Sequence, residues 1–165
     1  MNSVFRFKVG RVIEIAHEGK GFGYLVASFK RPRFGTFFSL VVKTYSSSLA
    51  DEDLEELTRA PHTIVWMNTH RLFHREGPVE FRRRRDLASF VPSTIKSWFG
   101  PETGPITLEE ADGSTSYMPV TLPFPELELE MERRGYVHSV LWLPASITEF
   151  LFEGRPLRWS THKKY

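Results

Sequence analysis

Two apolar runs face each other across a glycine-rich break in "KVGRVIEIAHEGKGFGYLVASF", residues 8 to 29. Val12, Ile13 and Ile15 in the first run are β-branched, and Phe22–Phe29 in the second is rich in aromatic and apolar residues, so both read as strands. His17-Glu18-Gly19-Lys20-Gly21 lies between them and supplies the residues a tight hairpin needs where φ turns positive. A third strand is expected over Thr36–Lys43, after the basic loop Lys30-Arg31-Pro32-Arg33-Phe34-Gly35, which completes an antiparallel meander. The same glycines prompt the question of a phosphate-binding loop. A Walker-type loop requires Lys followed by Ser or Thr and then a helix, whose free N–H groups hold the phosphate. Here Lys20 is followed by Gly21 and then by a strand, so the loop turns the chain and holds no phosphate.

Beyond the meander, Ser48-Leu49-Ala50-Asp51 has the spacing of a capping box, and Leu54 and Leu57 share a face, so a short helix is expected up to Pro61. Thr63–Asn68 returns to strand character, and short strands are expected near Val79–Arg82 and Ser116–Thr121. In Glu126–Glu132, "ELELEME", Leu127, Leu129 and Met131 alternate with glutamate, which is strand periodicity. Arg133-Arg134-Gly135 then turns the chain into a second apolar strand, Tyr136–Leu143. Ser146-Ile147-Thr148-Glu149 is a second capping box opening a terminal helix that Gly154 ends. The expected architecture is α+β: a twisted, mostly antiparallel sheet or small barrel with two short helices. The 165 residues are read as a single domain with 41% hydrophobic content, enough to bury a core.

Several function classes find no support. The chain has no cysteine, which excludes disulfides and thiolate metal sites and suits a reducing compartment. No run approaches the length of a signal peptide or a membrane span, so a cytoplasmic protein without membrane contact is expected. His70 and His74 stand four apart but lack the glutamate of the zinc-protease pattern, and Gly77-Pro78 stops any helix, so no metal is assigned. There is no nucleophile elbow, and the acidic pairs lie at the regular spacing of solvated faces. The chain reads as non-catalytic and free of cofactors.

Two binding surfaces remain. The formal charge is +2, distributed as +6 over residues 1–50, −3 over 51–110 and −1 over 111–165. Arg82, Arg83, Arg84 and Arg85 form a compact basic run near Phe81, Phe90 and Trp98, which offers phosphate contacts and stacking for a nucleic acid. Alternatively, aromatic and arginine side chains anchor protein interfaces. Arg31, Arg33 and Phe34 on the second loop, with Trp98 and Phe99 beside Gly100-Pro101, are candidates for that role.

The opening stretch also carries a likeness. Phe7, Lys8, Val9, Gly10, Gly19, Phe22, Gly23 and Tyr24 occupy the places of an aromatic-Lys-Val-Gly strand, an acidic-glycine turn and an aromatic-Gly strand. In this the chain resembles the immunity protein 26 family of bacterial polymorphic-toxin systems, although Arg11 stands where that family usually has an acid. "FFSLVV", "LADEDLEEL", "IVWMN" and a late Leu-Glu hairpin before a terminal helix, "LELEMERRGYVHSVLWLPASITEFLFEG", follow in the family's order. The resemblance implies a non-catalytic immunity protein that binds and neutralises a cognate toxin domain in the cytoplasm. A small-barrel nucleic-acid-binding protein is the alternative.

Overall fold

The structure is a computed structural model that describes residues 4–31, 35–75, 77–92, 94–101 and 103–162. In chain order its strands are β1 (Val12–His17), β2 (Gly21–Arg31), β3 (Gly35–Val41), β4 (His62–Met67), β5 (Val79–Arg83), β6 (Lys96–Phe99), β7 (Ile106–Glu109), β8 (Thr115–Met118), β9 (Tyr136–His138) and β10 (Leu141–Trp142). A 3₁₀ helix spans Asp51–Thr58, and the α-helices are α1 (Phe124–Arg133), α2 (Pro144–Glu153) and α3 (Trp159–His162). The fold is α+β, as the alternation of strand-like and helix-like segments predicts.

The chain gathers into two compact units and crosses between them three times, at residues 92, 140 and 155. The first unit is a curled sheet of order β10-β4-β3-β2-β1-β5. Its β1–β2–β3 meander is antiparallel, with His17 opposite Gly21 at the hairpin, and β4 extends it against β3. The glycines there do more than turn the chain. Gly21 has φ +103°, and a Cβ on it would overlap the Tyr45 carbonyl oxygen, whose residue closes a bridge with Phe22 through two 2.8 Å hydrogen bonds. Gly23 lies under α2, where a Cβ would come within 2.6 Å of Leu151 Cδ1.

Val12, Tyr24, Val26 and Val41 project from one face and bury Leu54 and Leu57 of the 3₁₀ helix, with Leu87 completing the cluster. The expected capping boxes are not formed. Ala50 is the N-cap of the 3₁₀ helix and Leu143 that of α2, neither with a side-chain cap bond, and Ser48 instead donates to Glu14. Gly154 does end α2, at φ +72°.

The second unit has a four-stranded sheet, β8-β7-β6-β9, and its core is Trp98, Ile106, Leu108, Leu127 and Met131. Here two expectations are overturned. Residues 126–132 are helix, within α1, rather than strand. Glu, Leu and Met are strong helix formers, Pro125 suits the first turn, and a seven-residue alternation cannot exclude the helical period. The helix buries Leu127 and Met131, four apart, and leaves Leu129 49% exposed, whereas a strand would have put all three on one face. The second correction concerns Tyr136–Leu143, which is not one strand. β9 pairs in parallel with β6, and β10 pairs in parallel with β4 in the other unit's sheet. The break is a three-residue turn in which Val140 N–H donates to the His138 carbonyl at 2.8 Å.

Candidate partner-binding surface

Four adjacent strands of the first unit carry one lateral row of apolar side chains. Strand registry places Phe29 opposite Phe37, Phe37 opposite Trp66, and Trp66 opposite Leu141, so the row runs from β2 through β3 and β4 to β10 at the sheet edge. Phe29 joins it only through a β-bulge. The register shifts between Ala27 and Phe29, and without that shift Phe29 would stand on the opposite face, with Leu25 and Ala27. The bulge also leaves Ser28 buried, its hydroxyl 2.7 Å from that of Ser39.

The rings of the row are stacked. Phe29 and Phe37 have centroids 4.3 Å apart at 11°, and Phe37 and Trp66 are 5.8 Å apart at 13°. Phe37 is 1% exposed, Phe29 and Trp66 are half-buried, and Leu141 at the edge is 41% exposed. The Arg31 guanidinium lies 5.6 Å from the Phe29 centroid and 5.3 Å from that of Phe37, a cation–π arrangement that ties the base of the basic loop to the row. Of the residues singled out in the sequence, then, Arg31 belongs to this surface. Arg33 and Phe34 lie outside the described residues.

Trp98 is corrected from anchor to core. It is 1% exposed and lies flat on the His138 ring at 3.8 Å and 8°. Its neighbour Phe99, on the other side of β6, is 39% exposed. His70 and His74 are exposed, in the turn after β4 rather than on a helix, and among the described residues no group of three or more His, Asp or Glu is placed to hold a metal ion.

Of the arginine run only Arg84 is drawn inward, whereas Arg82, Arg83 and Arg85 are exposed. Glu14, 1% exposed on β1, accepts hydrogen bonds from Tyr24 Oη at 2.9 Å, Ser48 Oγ at 2.5 Å and Arg84 Nη1 at 2.5 Å. Arg84 also donates to the Leu49 carbonyl and to Asp51, at 2.6 and 3.0 Å. Burial, with Glu14 beside it, pushes the Tyr24 phenol up to about 12. Arg82 is held by Glu80 at 2.8 Å, and Arg85 donates to the Asp51 carbonyl at 2.9 Å. Arg83 is exposed. Charge and aromatic content suggested a phosphate patch, and nothing local in the sequence marked Glu14 as the partner of an arginine 70 residues away.

A second buried carboxylate went unnoticed in the sequence because it sits inside the apparent strand "ELELEME". Glu128 is 6% exposed, accepts from the backbone N–H groups of Trp159 and Ser160 at 2.6 and 3.1 Å, and lies 3.5 Å from His138 Nδ1. Burial opposes its charge, but the hydrogen bonds from Ser160 and Trp159, with the His138 ring close by, outweigh that and hold the carboxyl below its ordinary value. It anchors the C-terminal segment.

No family model, curated protein or solved structure matches the chain. Among the described residues no helix is long and apolar enough to cross a membrane.

Proposed function

We propose that this chain is an immunity-type binding protein, which captures a cognate bacterial toxin domain and neutralises it in the cytoplasm of the producing cell. The Phe29–Phe37–Trp66–Leu141 row, with Arg31 across it, carries this reading. Stacked, pre-ordered aromatic side chains contribute contact area at little entropic cost, and Arg and Trp dominate the energetics of protein interfaces. The resemblance of residues 7–24 to the immunity protein 26 family supplies the kind of partner. Nucleic-acid binding by Arg82–Arg85 is the weaker reading, since Glu14, Asp51 and Glu80 already neutralise Arg84 and Arg82.

Co-expression tests this directly. The chain should restore growth to cells producing the toxic C-terminal domain of a polymorphic toxin encoded beside it, and the two should co-purify one to one through a high-salt wash. A chain that forms no such complex, and that instead retains nucleic acid released by salt, would overturn the proposal.

A further inference from the structure

The first unit's sheet ends in β10 on one side and in β5 on the other. β5 carries five residues, Val79-Glu80-Phe81-Arg82-Arg83, without a proline or a break in register. Its ladder with β1 shows which backbone groups are committed. Arg84 N–H donates to the Val12 carbonyl at 3.0 Å, and Glu18 N–H to the Pro78 carbonyl at 2.9 Å, in the register that sets Ile15 opposite Phe81. Hydrogen-bonded pairs alternate along an antiparallel ladder. Glu80 and Arg82 therefore bond inward to β1, and Val79, Phe81 and Arg83 turn their N–H and C=O groups to the outer edge. Among the described residues no hydrogen bond reaches those outward groups.

The side chains select what can pair there. A second β5 must meet the first with outward-bonding residues opposite one another, so a two-fold axis can pass only through Val79, Phe81 or Arg83. At Phe81 it sets Val79 opposite Arg83 and, twice over, Glu80 opposite Arg82. Those last two are non-hydrogen-bonded pairs, where side chains come closest, and both join opposite charges. An axis at Arg83 would set Arg82 against Arg84, and one at Val79 would set Glu80 against Pro78. Glu80 has capacity for a second guanidinium. Arg82 of its own chain holds only Oε2, at 2.9 and 2.8 Å, no contact among the described residues uses Oε1, and the two side chains are 37% and 49% exposed.

We infer that β5 pairs with β5 of a second copy of this chain, antiparallel about a two-fold axis at Phe81, so that the sheet continues through an isologous dimer. The pairing lies at the edge opposite β10 and does not draw on the Phe29–Leu141 row. Sedimentation equilibrium over a concentration series tests it. A five-residue strand pair is a small interface, so a Kd of about 100 μM is expected. Glu80→Arg and Arg82→Glu each turn both attractive pairs into repulsive ones, and each should weaken self-association by about tenfold or more. Mixing the two variants restores both opposite-charge pairs, so they should form a mixed dimer as tight as the native one. The double swap Glu80→Arg, Arg82→Glu in one chain should also dimerise like the native protein, and it keeps the test decisive if a single variant does not fold. Amides of Phe81 and Arg83 should gain exchange protection as concentration rises, whereas those of Glu80 and Arg82 are already held by β1. A chain still monomeric at about 1 mM, a dimer indifferent to the single substitutions, no recovery in the double swap, or protection gained at another edge would each overturn the inference.

Discussion

Removing the Arg84 guanidinium should reveal how much of the first unit's stability rests on one buried carboxylate. Glu14 has 2% of its side chain exposed and Arg84 17%, and the two meet at 2.5 Å in a cluster that also ties down Ser48, Leu49 and Asp51. In Arg84→Ala the Glu14 carboxylate stays buried with Tyr24 and Ser48 as close donors and the exposed Arg82 guanidinium 3.8 Å away. Stripping one partner from a buried pair costs about 3–5 kcal/mol. The partial exposure of Arg84 and the two remaining donors put this case at the lower end, at about 3 kcal/mol. With a urea m-value of about 2 kcal/mol/M, the midpoint should fall by about 1.5 M. Fluorescence of Trp66 and Trp142, both in the first unit, follows the transition once Trp98 and Trp159 are replaced by phenylalanine in the reference protein. The double variant Glu14→Gln, Arg84→Met should recover much of the loss, because it leaves no unpaired charge behind. A midpoint shift below about 0.5 M for Arg84→Ala would refute the argument and put this pair with ordinary surface ion pairs.

Other perturbations separate the structural claims. Gly21→Ala should destabilise by at least about 2 kcal/mol more than Gly19→Ala in the same urea assay, since both residues have positive φ but only Gly21 is pressed against the Tyr45 carbonyl. Trp98→Ala should cost about 3–5 kcal/mol as a core truncation, whereas Phe99→Ala should stay within about 1 kcal/mol, and the opposite order would return Trp98 to the surface. Acid should loosen the C-terminal segment. The Glu128 carboxyl is held below its ordinary value, so the unfolded chain takes up its proton first. The stabilisation is therefore complete above about 4.3, the usual glutamate pKa, and is lost as pH falls through the lower folded value. Amide exchange at Trp159 and Ser160, corrected for its intrinsic pH dependence, should lose protection over that range in the native chain, and Glu128→Gln should remove the dependence.

The first half of the fold was legible in the sequence because its signals are local. Alternating apolar residues flanked by glycine describe β2 and β3 within two residues of their ends and β1 within three, and Leu54 and Leu57 identify the buried face of the 3₁₀ helix. The candidate surface was legible only in part. Arg31 could be picked out as a cation beside aromatics, but Phe29, Phe37, Trp66 and Leu141 come from four strands, and no sequence spacing links them. Trp98 and Arg84 look the same in sequence whether they face solvent or core, which is why one was read as an anchor and the other as a phosphate contact.

Sequence alone therefore determined the meander, the hairpin glycines and the end of α2 at Gly154, because each depends on neighbours within a few residues. Four features were left to long-range packing. "ELELEME" is compatible with either period over so short a run, and burial of Leu127 and Met131 in the second unit's core selects the helix. Tyr136–Leu143 divides because two sheets each have a position for a parallel strand. The bulge at Ala27–Phe29 sets which face Phe29 occupies. Glu14 is chosen as the partner of Arg84 because β1 and β5 lie side by side, and an unpaired carboxylate at that depth would cost more than the strand pairing returns.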